Sequence, residues 1–459
     1  MTLQEHLKKN FHLAWPVMLS QAGQILVNIA DNVMVGGLGS TWDEVQNPEL
    51  GTTALGAVAL GNSLFFILMV TCLGFTFGMS PLIAQADARG NTQRVVRVFT
   101  HGSLLNIGLT IFLMLVLFFV APIMRSMGQP PEVVEQALPY LRIVTYSMLP
   151  LIIFQSLRQL SEGLSLTKTV AIATIIANLM NIVFNYMLIY GNWGMPRLEV
   201  EGAAYGTLLS RIIMIFSLLF AMWYNTKSRF YLLQVKLKKL HYFIIKKLIK
   251  LGAPSALQMF FEVSAFGLAS FICGLAGKEQ LAAHQIALNL ASTTFMICTG
   301  LGVAATIRVG NQKGLKNYTE LKGAGWSAIY MVVAFMFLCG LSFVIFRYEL
   351  PKFYVDDNQV IQIAAGLMSV AALFQLSDGI QVVCMGVLRG MEDVNVPAFI
   401  TFFAYFGLAL PLGYYLTVKQ EMGAFGMWIG LGLGLTFAAI FLLFRFYQLS
   451  RRFILQNHK

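Results

Sequence analysis

Twelve apolar stretches, each long enough to cross a bilayer, leave this chain of 459 residues one broad class of fold. They cover residues 11–38, 53–80, 95–122, 136–160, 168–190, 202–224, 246–275, 281–307, 323–346, 360–387, 396–417 and 423–446. A helix needs roughly 20 apolar residues to span the hydrocarbon. The spans must be helices, because an open strand leaves its backbone groups unpaired in lipid, and the alternating pattern of a membrane barrel is absent. Composition agrees: 57% of the residues are hydrophobic and 12% are charged, about half the charged share of a soluble domain. That excludes an ordinary soluble enzyme, a disordered chain and a disulfide scaffold. Cys72, Cys273, Cys298, Cys339 and Cys384 all lie inside apolar stretches with no CxxC pair, as small buried hydrophobes do. The first apolar run is too long for a signal-peptide core.

The net charge of +11 follows the membrane rather than nucleic acid. With both termini placed in the cytoplasm, 24 of the 32 Lys and Arg fall on the cytoplasmic side, seven fall outside, and Arg211 lies within the sixth span. Twelve of the 21 acids fall outside. This is the bias that orients helical membrane proteins. The longest basic connector, 225–245, divides the chain into two sets of six spans, 1–224 and 246–459. The halves repeat weakly. Ala14-Trp15-Pro16 corresponds to Gly252-Ala253-Pro254, and Val133, Ala137, Leu149 and Gly163 correspond to Val360, Ala364, Leu376 and Gly390. Both halves begin and end inside, so the repeat is parallel, about an axis along the membrane normal. The expected fold is an all-α integral membrane protein: twelve transmembrane helices in two pseudo-symmetric six-helix bundles around a central cleft.

Three acids sit within spans: Asp31, Glu262 and Asp378. A carboxylate in lipid costs several kcal/mol, so each should face the protein interior or water. One reading is a cation or proton site; the other is an internal salt bridge to a group such as Arg211. Amides surround these acids at helical spacing. In span one Gln21, Gln24, Asn28 and Asp31 share a face, as do Asn178, Asn181 and Asn185 in span five. Ser255, Gln258 and Glu262 line span seven, Gln285, Asn289 and Ser292 line span eight, and Gln375, Asp378 and Gln381 line span ten. Gln24, Asn28, Gln258, Gln285 and Asn289 are therefore candidates for contact with a substrate, against the plainer reading of hydrogen bonds between helices. Oxygen-only ligands suit a proton or a hard monovalent cation, not a transition metal, and His284 reads as structural. Pro16, Pro254, Pro397 and Pro411 lie in spans, as static bends or as hinges. Asp356 and Asp357 precede span ten, either capping it or attracting a cation. No GxxxxGK[ST], HExxH or GxSxG is present, so neither an ATP-driven motor nor a recognisable enzyme site is indicated. A membrane-embedded enzyme or a channel remains the alternative of a different class.

Seven stretches together resemble the multidrug and toxic compound extrusion (MATE) family in its NorM-like branch, across nearly the whole chain. They are the Trp15-Pro16 opening, Asp31 within DNVMVGGLG, SPLIAQADARG at 80–90, NIVFNYMLIYG at 181–191, the LGAPSALQMFFE run ending at Glu262, AAHQIALN at 282–289, and LFQLSDGIQVVCMGVLRG at 373–390. The resemblance implies two bundles forming a V-shaped cleft and sodium- or proton-driven efflux of cationic drugs or dyes, with Na+ or H+ as coupling ion and no cofactor. It implies that Glu262 and Asp378 form a cation site and that Asp31, Asn181, Asn185 and Thr207 form a polar or proton site in the first bundle. Asp356 and Asp357 correspond to a loop linked to substrate cations in some relatives. One position departs: many relatives carry Tyr four residues before the span-ten Asp, where Phe374 offers no oxygen. A related flippase for lipid-linked oligosaccharides is the second reading within transport; its cleft should be more basic, and the membrane acids speak against it. The expected setting is the inner membrane of a bacterium, as a monomer in the lipid bilayer.

Overall fold

The computed structural model describes residues 1–40, 48–126, 130–235 and 241–457. Asp43 and Glu44 of the expected first outer loop, Lys236, Lys238 and Lys239 of the connector, and Lys459 lie outside these residues. Among the described residues, twelve helices are long and apolar enough to cross a membrane. They are α1 (Leu3–Gly36), α2 (Leu50–Ala88), α3 (Thr92–Ser126), α4 (Pro131–Gly163), α5 (Thr167–Tyr190), α6 (Glu199–Tyr224), α7 (Tyr242–Leu275), α8 (Lys278–Gly314), α9 (Tyr318–Ile345), α10 (Asn358–Gly390), α11 (Asn395–Lys419) and α12 (Gly423–Gln456). Among the described residues there is no strand. Several helices outrun their apolar stretches: α1 starts at Leu3 and α8 ends at Gly314, because a helix can continue past the hydrocarbon with polar turns. Large apolar side chains remain exposed along the helices, Phe119 at 83% and Leu373 at 79%. Such surface would drive aggregation in water, and it suits lipid.

Two compact units are built from these helices. The first comprises Met1–Met18, Ser80–Asn91 and Lys250–Lys459, and the second comprises Leu19–Met79 and Thr92–Ile249. Contacts therefore group the chain differently from its order at two places. In the first unit, polar bonds hold the early segments to α8, α9 and α10. Asn10 Nδ2 donates to Ser327 Oγ at 2.8 Å and to the Ala324 carbonyl at 3.1 Å. Arg308 donates to the His6 carbonyl at 2.8 Å and to Asn10 Oδ1 at 3.1 Å. Gln85 Nε2 donates to the Gly390 carbonyl at 3.3 Å, and Arg89 Nε to the Gly314 carbonyl at 2.8 Å. The donating side chains are all polar, so the hydropathy profile does not announce these bonds.

Within the first unit α10 is the central helix, packed on α8, α9 and α12. Its crossing with α8 depends on glycine: a Cβ on Gly386 would run into the Gly302 carbonyl oxygen. The close approach lets Thr306 Oγ1 donate to the Gly386 carbonyl at 2.8 Å and to the Gly302 carbonyl at 2.9 Å. This is the small-residue packing expected where apolar area alone does not drive association. Trp428, Phe374, Met427 and Leu431 fill one part of the core, and Leu301, Met336, Val387 and Phe446 another. In the second unit α5 packs on α6, and α4 on α2 and α6, around a core that includes Phe65, Leu117, Leu141, Met148 and Ile189.

The prolines have two outcomes. α1 and α7 run through Pro16 and Pro254 without interruption. In α11, by contrast, the residues preceding Leu410-Pro411 wind as a π-helix over Phe403–Ala409, and a second π segment covers Tyr415–Lys419. Pro411 has no N–H for the carbonyl one turn before it. A π turn is one way a helix absorbs such a mismatch, and it is often found at functional sites.

Candidate functional site

In the second unit the polar stripe of α5 meets α1 and α6. Asn185, fully buried, donates from Nδ2 to Asp31 Oδ1 at 2.6 Å, and Asn181 Oδ1 lies 3.4 Å from the same nitrogen. Asn181 Nδ2 in turn reaches Ser210 Oγ on α6 at 3.4 Å. The chain can bring Asn185 this close to α6 only because residue 206 is glycine: a Cβ there would collide with Asn185 Oδ1. Asn185 Oδ1 and Asn178 Nδ2 are buried without a hydrogen-bond partner. Asp31, Asn181 and Asn185 are thus one connected cluster. Thr207 is half-buried and enters only through its backbone, whose carbonyl accepts from Ser210 Oγ at 2.9 Å. Gln24 and Asn28 share a face of α1, with Gln24 Nε2 donating to Asn28 Oδ1 at 3.4 Å, and Asn28 is exposed.

Among the described residues no ion pair joins Asp31 to Arg211. The Arg211 guanidinium donates to the Ser147 hydroxyl and lies over the Phe65 ring at 5.5 Å. The partner of Asp31 is an amide, so Asp31→Asn should leave the fold standing. That variant keeps an oxygen acceptor for Asn185, so it is expected to shift the melting temperature in detergent by only about 2 °C while cutting transport roughly tenfold or more. A collapse of thermal stability would show instead that Asp31 holds the helices together.

In the first unit α7, α10 and α11 assemble the other cluster. Glu262 on α7 and Asp378 on α10 are both more than nine-tenths buried and close enough to act on each other electrostatically. Arg389 is the positive group that acts on Glu262. Glu262 Oε1 is buried with no hydrogen-bond partner. Such atoms are rare in folded proteins because an unmet polar group in a dry interior is expensive. Gln258 Nε2 contacts Met385 Sδ, which sets α7 against α10. Gln375 and Thr294 bond to each other, the Gln375 amide donating at 2.8 Å. Gln381 Nε2 donates to the phenol oxygen of Tyr405 at 3.0 Å.

Tyr405 is the residue that the sequence did not single out. It is fully buried, faces Glu262 and Asp378, and stands against the Phe266 ring at 6.0 Å. A tyrosine set among Phe399, Phe402, Phe403 and Phe406 was the available signal. Phe374 packs on Trp428 with ring centroids 5.3 Å apart.

The remaining candidates lie apart from this cluster. Gln285 and Asn289 on α8 are exposed, and the Gln285 amide donates to Ser270 Oγ at 3.2 Å. Asp357 caps α10, its Oδ1 accepting from Gln359 N at 2.8 Å and Val360 N at 3.4 Å, while Asp356 beside it is exposed. His284 is fully buried between Trp428 Nε1 and Ser270 Oγ, each at 3.0 Å, a structural arrangement of three helices.

The chain matches the MatE family model over residues 47–187 and 254–415. It is 32% identical over 455 residues to a protein named "Probable multidrug resistance protein NorM" of Mesorhizobium japonicum, covering 98% of this chain and 95% of that protein. Among solved structures, a MATE protein in complex with MaD3S superposes with a TM-score of 0.85 at 22% identity, covering 98% of this chain and 97% of the other. The eukaryotic MATE transporter AtDTX14 superposes with a TM-score of 0.85 at 18% identity, covering 98% of each.

Proposed function

Because this chain belongs to the MatE family, we propose that it is a secondary active multidrug efflux antiporter, exporting organic cations in exchange for Na+ or H+ by alternating access. The observation that carries this reading is the buried pair Glu262 and Asp378, with one carboxylate oxygen, Glu262 Oε1, that has no hydrogen-bond partner among the described residues. Two acids this deep are favoured only when a cation or proton joins them. A coupling ion can shift a conformational equilibrium by no more than its differential affinity for the two states. One charge moving through 100 mV supplies roughly 2.3 kcal/mol, about a fiftyfold gradient. The Asp31, Asn181 and Asn185 cluster offers a second polar site, and Gln24, Asn28, Thr207, Gln258, Gln285, Asn289, Asp356 and Asp357 are the candidates for contact with the drug. The protein works as a monomer in a bacterial inner membrane. Proteoliposomes given a sodium gradient or a pH gradient separately test this: drug or dye should accumulate against its own gradient under at least one, and accumulation under neither would refute antiport.

The proposed topology keeps both termini and the connector 225–245 in the cytoplasm. Ser228, a natural position for a thiol probe, is buried with its hydroxyl on the Met222 carbonyl at 2.8 Å, so it would not report access. Thr226, two residues before it, is exposed, whereas Thr41 lies outside the described residues. Thr226→Cys in a background freed of the five native cysteines should resist an impermeant thiol reagent added to intact cells and react in inverted vesicles. Labelling in intact cells would overturn the orientation.

A further inference from the structure

Glu262 Oε1 and Gln381 Oε1 are both buried in the first unit without a hydrogen-bond partner. Gln381 is fully buried and follows Asp378 by three residues, so both project from the same face of α10. The amide direction is set by Tyr405. Gln381 Nε2 donates to that phenol oxygen at 3.0 Å, which turns the carbonyl oxygen away from it. The phenol, having accepted from Gln381, keeps its own proton for an acceptor, and Glu262 is the acid it faces. A buried carbonyl without a partner carries the full cost of its lost hydration. It cannot be relieved by ionising. Either a donor or a hard cation must meet it, and the carboxylates on either side supply acceptors rather than donors when charged.

We propose that Gln381 Oε1 is a third oxygen ligand, beside Glu262 and Asp378, for a monovalent metal cation of the sodium class, and that Tyr405 is the positioning residue that holds this amide in its ligating orientation. The pair supplies what Phe374 does not. A neutral carbonyl adds a ligand without adding a proton acceptor, so it biases the site toward a metal ion over a proton. The inference rests on the cation-coupled reading above and deepens it.

The test uses the full-length protein purified in detergent. Its melting temperature is followed as NaCl replaces choline chloride at constant ionic strength and pH 8. The native protein should show a saturable, sodium-specific rise, and Glu262→Gln should lose it. Gln381→Met, which keeps the volume and removes the oxygen, should raise the half-saturating sodium concentration roughly tenfold or more, and Tyr405→Phe severalfold, as loss of an orienting partner does at metal sites. Gln381→Glu, which adds charge at the same oxygen, should lower it. Native-like titration of Gln381→Met would overturn the proposal. So would weaker sodium binding by Gln381→Glu, because the amide would then be a donor to Glu262. If Gln381→Met does not fold, Gln381→Glu and Tyr405→Phe decide. A native protein with no sodium response but with efflux driven by a pH gradient would refute the sodium ligand and leave antiport standing. Absence of efflux under either gradient would strike the antiport reading itself.

Discussion

Glu262→Gln and Asp378→Asn are each expected to reduce gradient-driven efflux about a hundredfold, to background, while drug still binds with near-native affinity. A hundredfold loss corresponds to ~2.8 kcal/mol of coupling. The reasoning starts from burial. The two acids come from different helices yet act on each other, and one Glu262 oxygen has no partner. Replacing either carboxylate by an amide removes half of the negative charge that holds the coupling cation and puts a donor where an acceptor is needed. The double variant should be little worse than either single one, because residues that act as one site are not additive. Binding and counterflow measured on the purified variants, with sodium varied at two pH values, check this. Full gradient-driven efflux by either single variant would refute a shared site. Loss of drug binding in both would mean that these acids hold the drug.

Gly386→Leu is expected to leave little folded protein. The α8–α10 crossing has no room for a side chain at 386, and the obstacle is the Gly302 backbone, which cannot rotate away. Overpacking of this kind costs about 3 kcal/mol or more, a large part of a typical folding free energy. The hydrogen bond from Thr306 to the Gly386 carbonyl would be lost as well. Gly366→Leu is the internal comparison. It makes the same substitution in the same helix at a position where a Cβ meets nothing within 4 Å. Size-exclusion profiles in detergent should show an aggregated or absent Gly386→Leu and a monodisperse Gly366→Leu. A native-like profile and melting temperature for Gly386→Leu would contradict the packing described.

The helices were legible from hydropathy because lipid imposes their length and apolarity residue by residue. The acids were legible for the converse reason: a charge within a span stands out against that background. Direction was not. The stripes Ser255, Gln258 and Glu262 on α7 and Gln285, Asn289 and Ser292 on α8 have the same helical spacing, yet the first is buried and Gln285 and Asn289 of the second are exposed. Spacing says that residues share a face and is silent on what that face meets. Asp357 illustrates a milder ambiguity: an acid before a helix caps it by geometry, whatever else its charge does. The attachment of Met1–Met18 and Ser80–Asn91 to the first unit includes contacts between residues hundreds of positions apart, such as Asn10 with Ser327, which no local pattern announces. Tyr405 was hidden because its neighbours are as apolar as those of any lipid-facing ring.

The π turn at Phe403–Ala409 has a consequence for how this chain tolerates length changes. Such a turn holds one residue more than the α ladder would, so it behaves as a single-residue insertion carried inside a helix. Deleting one residue there would heal the ladder and shorten α11 without opening a loop. It would also move the residues inside the turn, Tyr405 among them, by one position on the helix surface. The phenol at 405 and the packed prolyl end at 411 could then no longer both keep their places. A deletion harmless by any count of hydropathy or helix propensity would separate Tyr405 from Gln381, and a compensating insertion would have to fall within the same two turns.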